Sequence, residues 1–137
     1  MNLGLDIDGT ITDDPIFFAR ICREVLCGGE VHIVSSRSQE ALQETIKELA
    51  DLGITYTTVH LLARMSEAQI ICPHAGLDWY QRHQWLKVDY AIANGLTHFV
   101  DDDPKVLSLF NRFSPSIAAI DFKRREQLLN GVWIRTR

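Results

Sequence analysis

Close to its start the chain carries Leu3-Gly4-Leu5-Asp6-Ile7-Asp8-Gly9-Thr10. The apolar residues at its beginning predict a short buried strand over 3–7 that ends in acidic side chains. The glycine directly after them predicts a turn, in which the threonine can act as a cap. What the two carboxylates do there depends on which other residues the fold brings to the end of this strand.

Short apolar strands recur along the chain, and helical patterns separate them. Further strands are predicted at 31–34, 56–62, 96–100 and 116–120, and helices at 15–26, 39–52, 82–94, 104–113 and 122–129. This alternation predicts an α/β fold, in which a parallel five-stranded sheet carries helices on both faces. The length of 137 residues suits one domain, and no repeat or linker divides it.

Local signals set several boundaries of these elements. Asp14 followed by Pro15 predicts the start of the first helix, and Ser38 can cap the second. Residues 63–82 carry weaker signals, with a short extended piece predicted at 70–72 and a turn at 73–76. The apolar residues 132–134 are expected to close the chain.

Composition excludes several classes of protein. Hydrophobic residues make up 46% of the chain and charged residues 23%, which excludes a disordered, collagen-like or coiled-coil protein. No apolar run has the roughly 18 residues of a membrane span, and no signal peptide is visible. The cysteines Cys22, Cys27 and Cys72 form no paired pattern, which favours a reducing compartment. We therefore expect a cytoplasmic protein with no membrane association.

The charge balance argues against a dedicated nucleic-acid binder. The chain has 18 acidic and 14 basic residues, whereas such binders normally carry a basic excess. Basic residues nevertheless cluster near the C-terminus, at Lys123, Arg124, Arg125, Arg135 and Arg137. This basic C-terminal stretch either contacts nucleic acid or forms a solvated helix face, and Glu126 interrupts it. Nucleic acid therefore stays an alternative partner.

Polar side chains follow three of the predicted strands. They are Asp6 and Asp8 after the first strand, Ser35, Ser36 and Arg37 after the second, and Asp101 and Asp102 after the fourth. Since the carboxyl ends of parallel strands meet at one edge of a sheet, these groups are expected to converge there. Lys87, near the start of the predicted helix over 82–94, can point to the same edge.

Converging carboxylates repel one another unless a cation neutralises them. Ligands that are all oxygen favour Mg²⁺. A magnesium site flanked by serine hydroxyls and one lysine suits a phosphoryl group, so the sequence predicts chemistry on a phosphate.

These residues resemble the motifs of the haloacid dehalogenase (HAD) superfamily. Asp6-Ile7-Asp8-Gly9-Thr10 is similar to its DxDGT signature, and Val31–Ser35 to its second motif, an apolar strand that ends in serine or threonine. Lys87 fits the third motif and Val100-Asp101-Asp102 the fourth. The order and spacing agree over residues 3–121. The resemblance implies a HAD-like Rossmannoid fold and a hydrolase domain over residues 1–137.

The resemblance also implies roles for the motif residues. Asp6 would be the nucleophile that forms an aspartyl-phosphate. Asp8 would be general acid and then general base, and its backbone carbonyl would join the carboxylates of Asp6 and Asp101 as Mg²⁺ ligands. Asp102 would bind the metal either directly or through a neighbouring group. Lys87 would stabilise the charge on the phosphate and keep Asp6 ionised.

The resemblance implies that Ser35 hydrogen-bonds a phosphate oxygen. Other residues near the motifs keep two interpretations each. Gly9 and Thr10 either lead to a flap over the site or form an ordinary turn. Ser36 either offers its backbone N–H to the phosphate or is a plain turn residue. Arg37 either contacts the substrate or lies on the surface.

The resemblance further implies where substrate specificity arises. HAD enzymes usually take it from a cap domain, but residues 9–30 and 63–82 are too few for one, so no large cap is expected. Such an open site suits an extended substrate or needs a neighbouring subunit as a lid, which leaves a homo-oligomer open. The segment 63–83 is expected to be a small insert near the active site, and its aromatic and basic residues suit a nucleotide or sugar phosphate.

The sequence therefore predicts a Mg²⁺-dependent phosphatase that hydrolyses a phosphomonoester. A second aspartate at Asp8 favours ester hydrolysis over dehalogenation, because halide needs no protonation. The substrate classes are a nucleotide, a nucleic-acid end or a sugar phosphate, with a small molecule favoured. Two alternatives stay open, a phosphotransferase to an acceptor other than water and a phosphate-binding module with little turnover.

Overall fold

The computed structural model describes residues 1–130. Within that range the strands are β1 (Asn2–Leu5), β2 (Glu30–Ser35), β3 (Thr58–Leu61), β4 (His98–Asp101) and β5 (Ala118–Asp121). The α-helices are α1 (Pro15–Leu26), α2 (Leu42–Asp51), α3 (Met65–Ile71), α4 (Trp79–Ala93), α5 (Pro104–Phe113) and α6 (Gln127–Asn130). Short 3-10 turns lie at Ile11–Asp13, Gln39–Ala41 and Phe122–Arg124.

The five strands form one parallel sheet in the order β3-β2-β1-β4-β5. From β1 the chain moves outward through β2 to β3, and then returns to β4 on the other side of β1. This reversal creates a switch point between β1 and β4, where α/β sheets place their ligands. Leu5 pairs with Val100, so Asp6 and Asp101 follow side by side at this point.

Two hydrophobic clusters cover the two faces of the sheet. Successive strand residues point to opposite faces, so Phe99 and Val100 belong to different clusters. The first cluster contains residues of α1, α2 and α6, and the second contains residues of α3, α4 and α5. The prediction of an α/β fold with a five-stranded parallel sheet and helices on both faces is confirmed.

The start of α4 differs from the prediction. Asp78 caps the helix by accepting a hydrogen bond from the Gln81 backbone N–H at 2.8 Å, and the Gln81 side chain accepts one from the Asp78 N–H at 3.0 Å. This reciprocal cap lets the helix begin at Trp79 instead of near residue 82. Lys87 therefore lies in the middle of α4, not near its start.

The extended piece predicted at 70–72 is wrong. Ile70 and Ile71 belong to α3, and Ile70 is exposed. Ala68 and Cys72, four residues apart, are buried in the second cluster. Burial of residues four positions apart is the pattern of a helix. The prediction failed because an apolar run this short shows no period, and such a run fits a helix and a strand equally well.

The last predicted helix is divided in two. A 3-10 turn over Phe122–Arg124 precedes the short α6, and Leu128 buries itself in the first cluster. The apolar residues 132–134 lie outside the described residues, as do Arg135 and Arg137. None of the described helices combines the length and apolar character needed to cross a membrane.

The central strand β1 requires glycine at position 4, on the face of the sheet that α5 covers. A Cβ on Gly4 would lie 2.4 Å from the Phe99 ring and 2.8 Å from Leu96 Cδ1. Phe99 has no room to move, since it is fully buried and stacks on Phe110 at 4.7 Å between ring centroids. We expect Gly4→Ala to lower the free energy of unfolding by about 1–3 kcal/mol, as overpacking does.

Urea denaturation at neutral pH measures this effect. Gly28→Ala is the matched control, because a Cβ there meets nothing within 4 Å. Equal unfolding midpoints for the two variants would show that Phe99 yields and that the packing at Gly4 is loose.

Candidate functional site

Three carboxylates gather at the switch point between β1 and β4. One oxygen each of Asp6, Asp101 and Asp102 lies within 4.8 Å of the others. Asp6 directly follows β1 and Asp101 is the last residue of β4, and both are buried, whereas Asp102 is exposed. The structure thus brings together the acidic residues that the sequence places after two separate strands.

Lys87 links the two buried carboxylates. Its Nζ donates to Asp6 Oδ1 at 3.1 Å and to Asp101 Oδ2 at 2.8 Å. The lysine is only 2% exposed, so both ion pairs are shielded from water. A buried ion pair of this kind depends on close geometry, because both partners have lost their hydration.

Gly9 and Thr10 tie the turn after β1 to the cluster. Thr10 Oγ1 lies 3.4 Å from Asp6 Oδ2 and 3.2 Å from Asp102 Oδ1, so its one proton can serve either carboxylate. Gly9 has a φ of 79°, and a Cβ there would lie 2.4 Å from Asp102 Oδ2. Only glycine lets the backbone come this close to that carboxylate.

When fully ionised, the cluster carries more negative than positive charge. Burial raises the pKa of Asp6 to about 8, and the nearby charge of Asp101 adds to the rise, while Lys87 opposes it. Burial likewise raises the pKa of Asp101. Burial alone would lower the pKa of Lys87, but Asp6 and Asp101 more than offset that effect and raise it. One ammonium does not balance three ionised carboxylates, so a further cation would stabilise the ionised form of the cluster.

The donor set fits a divalent metal ion. The three groups offer only oxygen, which suits hard cations, and Mg²⁺ is one of several that such a set accepts. Gly9 keeps the space beside Asp102 free of a side chain. The residues present are therefore compatible with the predicted Mg²⁺ without selecting it over other hard cations.

Asp8 is held by an arginine and not by the carboxylate cluster. Arg37 donates to both of its oxygens, at 2.9 and 2.8 Å, and also to both oxygens of Glu48, at 3.0 and 3.3 Å. The hydrogen bonds that Arg37 donates to Asp8 lower the pKa of Asp8, and those that it donates to Asp8 and Glu48 raise its own pKa. Arg37 thus lies in an ion-pair network, a third arrangement beside the two that the sequence left open.

The two serines after β2 have different surroundings. Ser35 is buried, and its Oγ accepts a hydrogen bond from the Arg37 backbone N–H at 3.1 Å. Ser36 is exposed and lines the cavity above the carboxylates, whereas Ser35 does not line it. The phosphate contact expected of Ser35 would therefore use a hydroxyl that already accepts a hydrogen bond within the turn after β2.

A cavity of about 140 Å³ opens above the cluster, called here the acidic cavity. Its walls are Asp6, Asp8, Ser36, Tyr80, Gln84, Lys87, Asp101, Asp102 and Asp103. The sequence places Tyr80 among the aromatic residues of the segment 63–83 near the active site, but it assigns no role in the site to Gln84 or Asp103. On a helix, positions 80, 84 and 87 share one face, so this spacing could have pointed to them.

Tyr80 and Asp103 form the outer wall of the acidic cavity. The Tyr80 hydroxyl donates to Asp103 Oδ2, and burial together with this bond raises the pKa of Tyr80. The Asp103 backbone N–H donates to Asp101 Oδ1 at 2.9 Å, which orients that carboxylate. Lys105 lies 5.4 Å above the centre of the Tyr80 ring.

Other candidate groups lie away from the acidic cavity. His74 stacks on Phe113 at 4.3 Å and Cys72 is buried in the second cluster, so packing accounts for both. Of the basic C-terminal stretch, Arg125 donates to Asp14 at 2.9 Å and lies 4.1 Å above the Phe122 ring. Lys123 and Arg124 are exposed.

No protein-family model matches the chain, and no curated protein matches it either. The interpretation of the site therefore depends on its geometry and on the residues themselves.

The raised pKa of Asp6 predicts how stability changes with pH. In the unfolded chain an aspartate has a pKa near 3.9, so between about pH 4 and pH 8 the folded state binds more protons than the unfolded state. The free energy of unfolding should then fall as pH rises through this window. We expect Asp6→Asn to remove much of this fall, and to be more stable than the wild type at pH 8 by a few kcal/mol, since one pKa unit corresponds to about 1.4 kcal/mol.

Urea denaturation in EDTA at pH 5 and pH 8 tests this expectation. Asp89→Asn, which removes an exposed charge from α4, is the control and should follow the wild type. Lys87→Met should act in the opposite direction and cost about 3–5 kcal/mol, because it leaves two buried carboxylates without a cation. An Asp6→Asn variant that is less stable than the wild type at pH 8 would contradict the electrostatic account.

Proposed function

We propose that the protein is a cytoplasmic HAD-type phosphatase that uses Mg²⁺ to hydrolyse a phosphomonoester through an aspartyl-phosphate on Asp6. The observation that carries the proposal is the contact of one lysine with two buried carboxylates at the switch point, Lys87 with Asp6 and Asp101. The all-parallel sheet and its strand order are compatible with the HAD-like Rossmannoid fold that the motifs imply.

In this proposal Asp6 attacks the phosphorus of the substrate. A bond forms between an Asp6 carboxylate oxygen and phosphorus, and the bond from phosphorus to the ester oxygen breaks. Burial raises the pKa of Asp6, and Lys87 opposes that rise and so favours the ionised form that the attack needs. Its ammonium, held 3.1 Å from Asp6 Oδ1, also offsets negative charge on the phosphoryl group.

Asp8 handles the protons of both half-reactions. It donates a proton to the departing oxygen, then takes one from the water that attacks the aspartyl-phosphate, which releases phosphate and restores Asp6. For the first step Asp8 must be protonated, whereas the bidentate contact with Arg37 lowers its pKa. Arg37 therefore has to release Asp8 before the general acid can act, and Glu48 is in place to keep the arginine paired.

The metal would be held by the carboxylates of Asp6 and Asp101 and by the backbone carbonyl of Asp8. Asp102 would either bind the metal directly or contact one of its ligands. When bound, Mg²⁺ neutralises charge as the anionic nucleophile approaches an anionic phosphate. Because Asp102 is the exposed member of the triad and receives a Thr10 hydrogen bond, it is suited to either position.

The substrate class stays as the sequence predicts it: a nucleotide, a nucleic-acid end or a sugar phosphate. Between β3 and α4 the described chain contains only α3 and short connections, so the acidic cavity has no large cap above it from this segment.

A specific observation favours a second candidate, a phosphate-binding module with little turnover. The proposed general acid Asp8 is engaged by Arg37 in the resting structure.

The central test is turnover of p-nitrophenyl phosphate with Mg²⁺. We expect the wild type to hydrolyse it, and Asp6→Asn to lose activity by at least about 10³-fold, because no covalent intermediate can form. Asp89→Asn should keep wild-type activity, and circular dichroism should show that all three proteins are folded. Mg²⁺ should also raise the melting temperature of the wild type, and less so for Asp101→Asn.

Equal rates for the wild type and Asp6→Asn would refute the nucleophile. A wild type that binds inorganic phosphate but hydrolyses nothing in a broad phosphoester panel would make the binding module the better interpretation. Transfer of the phosphoryl group to added alcohols in preference to water would indicate a phosphotransferase.

The role of Asp8 has a separate signature in the leaving group. An alkoxide needs a proton as it departs, whereas p-nitrophenolate does not. We therefore expect Asp8→Asn to slow the formation of the aspartyl-phosphate from glycerol 3-phosphate by about 10²–10⁴-fold, and its formation from p-nitrophenyl phosphate much less. Single-turnover rates for both substrates measure the difference, and equal losses would rule out general acid catalysis by Asp8.

A further inference from the structure

A second cavity, of about 230 Å³, adjoins the acidic cavity. Ser36 lines both of them. The second cavity is formed by the residues that directly follow β2 and β3, at 36–39 and 62–65, with His83 of α4 behind them. It therefore lies at the same edge of the sheet as the carboxylate cluster. A molecule whose phosphate reaches Asp6 can extend past Ser36 into this space.

Two guanidinium groups line this second cavity, which we call the arginine pocket (Ser36, Arg37, Ser38, Arg64, Met65 and His83). The Ser36 hydroxyl adds a donor, whereas the Ser38 hydroxyl already donates to Glu40, and Met65 adds an apolar contact. A guanidinium presents a planar pair of N–H groups that matches a carboxylate or a phosphate. The lining thus offers an anionic group the partners that recognise it.

The two arginines differ in how firmly they are held. Arg37 is partly buried and bonded to Asp8 and Glu48 on two sides. Arg64 pairs with Glu40 at 2.6 Å, but both of these side chains are more than 60% exposed. An exposed ion pair contributes little free energy, so Arg64 can exchange Glu40 for an anion of the substrate at small cost.

His83 adds shape to the pocket without adding charge. Its Nε2 lies 2.9 Å from the Ala63 carbonyl oxygen, and burial lowers its pKa, which keeps the ring neutral at neutral pH. The positive charge that faces a ligand in the pocket therefore comes from the arginines. Asp8 and Glu48 compete for Arg37, and Glu40 competes for Arg64.

We infer that the arginine pocket binds the leaving group of the substrate, and that it selects a compact leaving group with a second anionic group, a carboxylate or a phosphate, which pairs with Arg64. The inference rests on the proposed function, because the phosphate over Asp6 fixes where the leaving group extends. The pocket is smaller than the roughly 300–1,000 Å³ of sites for drug-sized ligands, which is why a compact group fits it.

Three phosphomonoesters with one carbon skeleton test this inference. Glycerol 3-phosphate has a neutral leaving group, 3-phosphoglycerate adds a carboxylate, and glycerol 1,3-bisphosphate adds a phosphate. We expect the wild type to hydrolyse at least one doubly anionic ester with a kcat/KM about tenfold above that of glycerol 3-phosphate. Which of the two is preferred distinguishes a carboxylate from a phosphate as the natural second group.

Arg64 variants show whether this preference comes from the pocket. Arg64→Gln should raise KM for the preferred ester by about tenfold and leave kcat/KM for glycerol 3-phosphate within about twofold of the wild type. Arg64→Lys should restore part of the preference, and Glu40→Gln should increase it, because the competing carboxylate is gone. Arg20→Gln, which removes an exposed arginine of α1 outside both cavities, is the matched control.

The outcomes separate this inference from the proposed function. Hydrolysis of p-nitrophenyl phosphate together with equal kcat/KM for the three glycerol esters keeps the phosphatase and overturns the pocket assignment. Equal effects of Arg64→Gln and Arg20→Gln on the preferred ester overturn it as well. Absence of hydrolysis with every ester overturns both. A 5′-phosphorylated oligonucleotide hydrolysed faster than both doubly anionic esters would make a nucleic-acid strand the occupant and overturn the compact substrate.

Discussion

The buried contact of Lys87 with Asp6 and Asp101 is the interaction on which the site depends. It joins the turn after β1, the middle of α4 and the end of β4, so three distant parts of the chain must be placed correctly for it to form. Burial makes charged groups costly, and the raised pKa of Asp6 expresses that cost. The favourable interactions elsewhere in the fold therefore have to offset the cost of burying these carboxylates, which are unfavourable in their ionised form without a further cation. Such local instability is common where a protein holds reactive groups ready.

Close packing holds this arrangement in place from both sides. Gly4 lets β1 lie against Phe99, and Gly9 lets the turn after β1 approach the Asp102 carboxylate. In both places a single methyl group would occupy space that another group already fills. The first contact sets the position of the strand, and the second sets the position of the turn that carries Thr10. The geometry of the acidic cavity thus depends on glycine at both of these positions.

Charge is divided along the edge of the sheet where the strands end. Carboxylates gather beyond β1 and β4, while arginines gather beyond β2 and β3. Arg37 and Asp8 meet at the boundary between them. This division gives the proposed substrate a direction, with its reacting phosphate over the acidic side and its leaving group toward the arginines. Release of Asp8 also depends on the other partners of Arg37, because Glu48 and an anionic ligand can each take the place of Asp8 beside the guanidinium.

The sequence by itself determined the alternation of strands and helices, the boundaries of α1 and α5, and the acidic residues after β1 and β4. Each of these follows from local signals, such as apolar periodicity, the cap Asp14 and the prolines at the start of both helices. The helical character of 65–71 could not be read in this way, since its apolar run is too short to show a period. The tertiary structure alone decided that Arg37 holds Asp8, that Ser36 and not Ser35 lines the acidic cavity, and that Tyr80, Gln84 and Asp103 complete its walls. The shared helix face of Tyr80, Gln84 and Lys87 is the one local signal among these outcomes. The rest depend on which side chains meet across elements far apart in the chain, and no local pattern contains that information.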